Sequence, residues 1–96
     1  MTDQREIQRG FRIRGSVQGV GFRWWTRRTA IDMGVRGTVR NCPDGSVEVR
    51  AAAAAEVLEA FAHRLSTGAP MALVRTVEAF PTDGELPPKF EIGQWP

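Results

Sequence analysis

Three glycines within seven residues, in the run Gly15-Ser-Val-Gln-Gly-Val-Gly21, separate two stretches of different period. Before them, from Glu6 to Gly15, Ile7, Phe11 and Ile13 alternate with Arg12 and Arg14, the period of a half-buried strand. After them, Phe22, Trp25, Thr29, Ala30 and Met33 recur at helical spacing. A strand must therefore turn into a helix through a glycine-rich loop, and that sharply limits the folds open to the chain.

The remaining punctuation extends the pattern. Gly34 stands where a helix ends in the left-handed conformation that glycine takes cheaply. Val35 to Cys42 alternates again, with Val35, Gly37, Val39 and Asn41 on one face and Arg36, Thr38 and Arg40 on the other. Pro43-Asp44-Gly45 signals a turn, and Val47, Val49 and Ala51 resume the alternation as the second arm of a hairpin. The alanine run from Ala51 to Ala55, followed by Val57, Leu58, Phe61 and Leu65, predicts a second helix that stops near Thr67-Gly68-Ala69-Pro70. Met71 to Phe80 reads as a fourth strand. Pro81 to Pro88 is a turn-rich connection, and Phe90 and Ile92 flank Glu91 in a short closing strand. The order βαββαβ plus a short terminal strand predicts a ferredoxin-like α+β sandwich, with two helices on one face of an antiparallel sheet. That architecture hosts unrelated functions, so the site residues must decide.

With 96 residues, 42% hydrophobic and 25% charged, the chain is expected to form one domain over residues 1–96, with residues 1–5 flexible. The polar start, Met-Thr-Asp-Gln-Arg-Glu, lacks the apolar core of a signal peptide, and no apolar run approaches the roughly 20 residues that a bilayer needs. A cytoplasmic protein without membrane partner is expected. The single Cys42 excludes an internal disulfide, and with His63 it falls short of a zinc ligand set, so no metal site is expected. Net charge is only +2, but Lys89 is the single lysine among thirteen basic residues. Arginine grips oxyanions in a planar fork that lysine cannot copy, although genome base composition produces the same bias.

The glycine loop carries the chemistry. Glycines at 15, 19 and 21 let consecutive N–H groups point into one concavity, and the helix that begins there adds its positive end. Arg23, in the first turn, is placed to hold two phosphate oxygens at once. The run carries neither Gly-Lys-Ser/Thr nor Gly-x-Gly-x-x-Gly, which disfavours nucleotide binding. Taken alone, the glycine spacing favours a plain turn whose glycines serve packing. Asn41 is an unusual amide on an apolar strand face, yet taken alone it favours the plain reading of a residue that ends the strand and enters a turn, where asparagine is common. Cys42 reads as a core or rim residue, and His63 as a helix surface residue. Of the adjacent Trp24 and Trp25, one must lie near the surface.

At these residues the chain closely resembles the acylphosphatases. The resemblance is dense from about residue 10 to 50: Val17-Gln-Gly-Val-Gly-Phe-Arg23, Thr26, Ala30, Gly34-Val-Arg-Gly37, Val39, Asn41, Asp44-Gly45 and Val47-Glu48. Ala69-Pro-Met-Ala-Leu-Val74 and Phe90-Glu-Ile92 add weaker marks. The chain departs from many relatives at Thr38, where they carry tryptophan, at the alanine run, where they carry a glycine, and after Ile92. The resemblance implies hydrolysis of acyl phosphates to a carboxylate and inorganic phosphate, with no cofactor, metal or covalent intermediate. It places the phosphate-binding arginine on Arg23, the water-positioning asparagine on Asn41, and the cradle within Gly15, Ser16, Val17, Gln18, Gly19 and Val20. A monomer is expected, with inorganic phosphate or sulfate able to occupy the site. Two rival readings are RNA binding on the sheet, disfavoured by few outward aromatics, and a role like that of the acylphosphatase-like domains of larger carbamoyl-transfer proteins.

Overall fold

The computed structural model describes residues 4–93. Its elements are β1 (Glu6–Ser16), α1 (Phe22–Met33), β2 (Arg36–Asn41), β3 (Val47–Ala54), α2 (Ala55–Thr67), β4 (Leu73–Phe80) and β5 (Glu91–Ile92). The strands form one sheet in the order β4-β1-β3-β2-β5, so β3 and β1 are central and the two strand-helix-strand units interlock. This is the ferredoxin-like α+β arrangement expected from the sequence. Residues 1–3 of the stretch expected to be flexible lie outside the described residues, as does the chain end after Gly93.

The period-two stretches put Phe11, Ile13, Val39, Val47 and Val49 on the face that the helices cover. Phe22 and Ala30 of α1 and Leu58, Phe61 and Leu65 of α2 close over them. Phe61 sits at the centre, its ring edge-on to Phe11 at 6.2 Å and to Phe90 at 6.3 Å between centroids. Trp25 packs on Phe22 at 5.5 Å while Trp24 is 67% exposed, the division that adjacent helical positions require. The opposite sheet face is charged: Glu48, only 5% exposed, lies between Arg12 and Arg40 at 2.9 and 3.1 Å, with Arg50 also at 3.1 Å. Its burial is tolerable because three guanidinium groups replace the lost water.

Two details correct the sequence reading. Ala51 to Ala54 do not begin the second helix but extend β3, and α2 starts only at Ala55. Alanine's helix preference amounts to less than about 1 kcal/mol per residue, whereas these four residues pair with Glu6 to Arg9 of β1, and Ala51 and Ala52 also pair with β2. Pairing on a central strand overrides local propensity. The sheet is also mixed rather than antiparallel throughout, because β5 runs parallel to β2, with Thr38 opposite Glu91 and Val39 opposite Ile92. β4 leaves the sheet at one edge and β5 enters at the other, from the same end, so its direction is that of β2. Gln8 and Arg36 hold the crossing segment by donating to the carbonyls of Gly84 and of Leu86 and Pro87.

β4 begins at Leu73 rather than Met71, and its register against β1 shifts between Arg14 and Gly15. Gly15 has φ 137°, and a Cβ there would lie 2.1 Å from the Leu73 carbonyl oxygen. Gly15→Ala is therefore expected to cost about 1–3 kcal/mol, read as a lower urea midpoint at unchanged slope.

Candidate active site

The loop between β1 and α1 is set by backbone angles. Gly19 and Gly21 have φ 77° and 79°, left-handed values that a side chain resists, and no neighbouring atom crowds either position. Gly15 and Ser16 still pair with β4, so the turn proper begins at Val17, whose buried side chain pins it to the core. Val20 packs against the same core. Gly21 is the N-cap of α1 and offers no side chain to the first-turn amides, and that turn contains no acidic residue. The positive end of the helix is thus neither capped nor neutralised by its own sequence, which is the condition for binding an external anion.

Gln18 fastens the loop to the β2–β3 hairpin. Its Nε2 donates to the carbonyls of Cys42 and Ser46, each at 2.8 Å. The sequence reading missed this side-chain role, counting Gln18 only for its backbone; no local pattern encodes a contact across 24 residues. The bond to Cys42 places the loop beside Asn41. Asn41 ends β2 opposite Val47, on the helix-covered face with Val39, and its side-chain oxygen is buried without a hydrogen-bond donor among the described residues. Buried acceptors are ordinarily paired with protein or water, so this oxygen is available to accept from a water molecule.

Arg23 lies in the first turn of α1, half-buried, and lines an open cleft with Trp24, Arg27 and Ile92. Arg12, Arg14, Arg36, Arg40 and Arg50 each meet a carboxylate within 4.0 Å, whereas Arg23 makes no ion pair among the described residues. Ile92 stands opposite Val39, two residues before Asn41. The structure thus brings Arg23, Asn41 and the glycine loop to one end of the sheet. Cys42 is buried, with Arg12 Nη1 3.6 Å from its Sγ, and His63 is exposed on α2, remote in sequence and element from this end. Among the described residues no group of three or more His, Cys, Asp or Glu is placed to hold a metal ion.

The hairpin turn beneath Asn41 is held by Asp44. Its Oδ1 accepts from the Ser46 hydroxyl at 2.6 Å and the Ser46 N–H at 2.9 Å, while Arg14 lies 3.2 Å from Oδ2. Chiefly through the Ser46 hydroxyl, then its N–H and the Arg14 guanidinium, the carboxyl is held down at about 2. A depressed carboxyl contributes stability that is present above its unfolded value near 4 and lost as pH falls toward about 2. The stability deficit of Asp44→Asn, measured by urea unfolding, is expected to be constant from pH 7 to pH 5 and to shrink as pH falls below 4.

Fold and loop together define a ferredoxin-like protein whose helix N-terminus is open to an anion. The chain belongs to the acylphosphatase family: the family model for Acylphosphatase matches residues 9–92. An acylphosphatase of Archaeoglobus fulgidus is 41% identical over 80 residues, covering 83% of this chain and 90% of that protein. One from Rhizobium etli is 49% identical over 78 residues, covering 81% and 82%. The solved structure of an acylphosphatase from Coxiella burnetii superposes with a TM-score of 0.87 at 28% identity, covering 97% of this chain and all of that one. The chain is thereby placed among hydrolases acting on acid anhydrides. No helix in the described residues is long and apolar enough to cross a membrane.

Proposed function

We propose that residues 1–96 act as a single catalytic domain that hydrolyses the carboxyl–phosphate bond of small acyl phosphates. The phosphate is held by Arg23 and by backbone amides of the segment Gly15–Val20, and Asn41 orients the attacking water. Water oxygen bonds to phosphorus as the phosphorus–carboxyl oxygen bond breaks; the carboxylate departs and the water's proton passes to the phosphate itself. The observation that supports this reading is the buried Asn41 oxygen, which has no donor among the described residues, together with an uncapped helix N-terminus and an Arg23 that meets no carboxylate among those residues.

The chemistry suits such a site. The phosphoryl transition state spreads charge over three oxygens, so fixed donors and a placed nucleophile matter more than covalent help. An acyl phosphate already carries a good leaving group. The residues assigned need no metal and no cofactor. The protein then works as a cytoplasmic monomer, with inorganic phosphate or sulfate competing for the cradle. Hydrolysis of benzoyl phosphate is expected to proceed at the same rate with and without a metal chelator. Loss of turnover on chelation would refute the metal-free route, and absence of turnover under both conditions would refute the reading itself.

A further inference from the structure

The cleft beside Arg23 has a second cation. Arg27 follows Arg23 by four residues, so both project from the same side of α1, with Cβ atoms about 5–6 Å apart. Like charges at that spacing destabilise an isolated helix, and neither guanidinium is offset by an ion pair among the described residues. Both are half-buried, and both line the same open cleft of about 460 Å³, walled by the exposed indole of Trp24 and by Ile92. That volume lies in the range of small-molecule sites. On the sheet, Arg12, Arg14, Arg36, Arg40 and Arg50 each meet a carboxylate, whereas Arg23 and Arg27 share one cleft with none among the described residues.

The geometry points to a preference for acyl phosphates whose acyl half carries a second carboxylate, with Arg27 receiving that carboxylate. This rests on the phosphate being held at Arg23. With the phosphate there, the acyl group leaves the cradle toward the cleft, where Trp24 and Ile92 offer apolar surface to a short methylene chain. Arg27 lies one helical turn further on. A linker of two methylenes, as in succinyl phosphate, spans a distance comparable to the separation of the two arginine positions. A planar guanidinium receives a carboxylate through two parallel hydrogen bonds, which an ammonium cannot reproduce. Arg27 is thus a specificity-determining residue for the acyl half of the substrate.

The test compares succinyl phosphate with butyryl phosphate, equal in carbon count but lacking the second charge. The wild-type protein is expected to favour succinyl phosphate in kcat/KM by about tenfold, the order of one charge-assisted hydrogen bond in a half-buried setting, with the advantage residing in KM. Arg27→Gln should remove most of that ratio and Arg27→Lys should retain part of it. Raising ionic strength should reduce the wild-type ratio, because the cleft is open to solvent. Turnover of both substrates with the same ratio in wild type and Arg27→Gln would overturn the role of Arg27 alone. Turnover of neither by the wild type would overturn the phosphate site and this inference together.

Discussion

Replacing Asn41 by alanine is expected to lower kcat by at least about a hundredfold while leaving competitive inhibition by inorganic phosphate unchanged. The size follows from geometry: misplacing a nucleophile by about 1 Å already costs roughly that factor, and a hundredfold corresponds to about 2.7 kcal/mol of barrier. The separation of the two readouts follows from placement. Asn41 ends β2 with its side-chain oxygen buried and without a partner among the described residues, whereas the loop is held by Gln18 through the Cys42 and Ser46 carbonyls. A purely structural role for Asn41 predicts something different. Truncation would then lower the unfolding midpoint, whereas removing a buried acceptor that lacks a protein donor leaves stability level or raised. Benzoyl phosphate turnover, phosphate inhibition and urea unfolding of the same variant distinguish the two. Near-normal turnover would remove Asn41 from the mechanism.

Arg23→Ala should be the more damaging change, lowering kcat/KM by about a thousandfold or more and weakening phosphate inhibition as well. A guanidinium that meets transferring phosphoryl oxygens typically contributes on that scale. Because Arg23 has no carboxylate among the described residues, its truncation breaks no ion pair, and the fold should survive it. Arg23→Lys is the informative companion. Lysine restores the charge but not the fork, so it should recover phosphate inhibition in part and turnover poorly. Equal recovery of both would mean that charge alone matters at this position. Wild-type hydrolysis by Arg23→Ala would exclude it from the site.

Most of the fold is legible in the sequence. The change from period two to period 3.6 across Gly15–Gly21 defined β1 and α1, and the Pro43-Asp44-Gly45 turn defined the β2–β3 hairpin. The site residues that the family resemblance names lie at one end of the sheet: Arg23 in the first turn of α1, Asn41 at the end of β2 and the glycine loop between β1 and α1. Each of those features alone suits a turn, a strand end or a surface charge, and only their joint spacing points to a site. The Ala51–Ala54 run was misread because helix propensity is local, while the partners that hold it in β3 lie more than forty residues away in β1.

What the sequence determined by itself was therefore whatever near neighbours dictate: periods, turns, glycines that accept left-handed angles, and the spacing of a family motif. Four matters awaited the tertiary structure. These were the parallel entry of β5 beside β2, the Gln18 side chain that fastens loop to hairpin, the Asn41 oxygen that lacks a partner among the described residues, and the match of carboxylates there to some arginines but not to Arg23 and Arg27. The reason is the same in each case. Pairing, burial and charge compensation depend on which distant residues arrive at the same place, and no period along the chain encodes that.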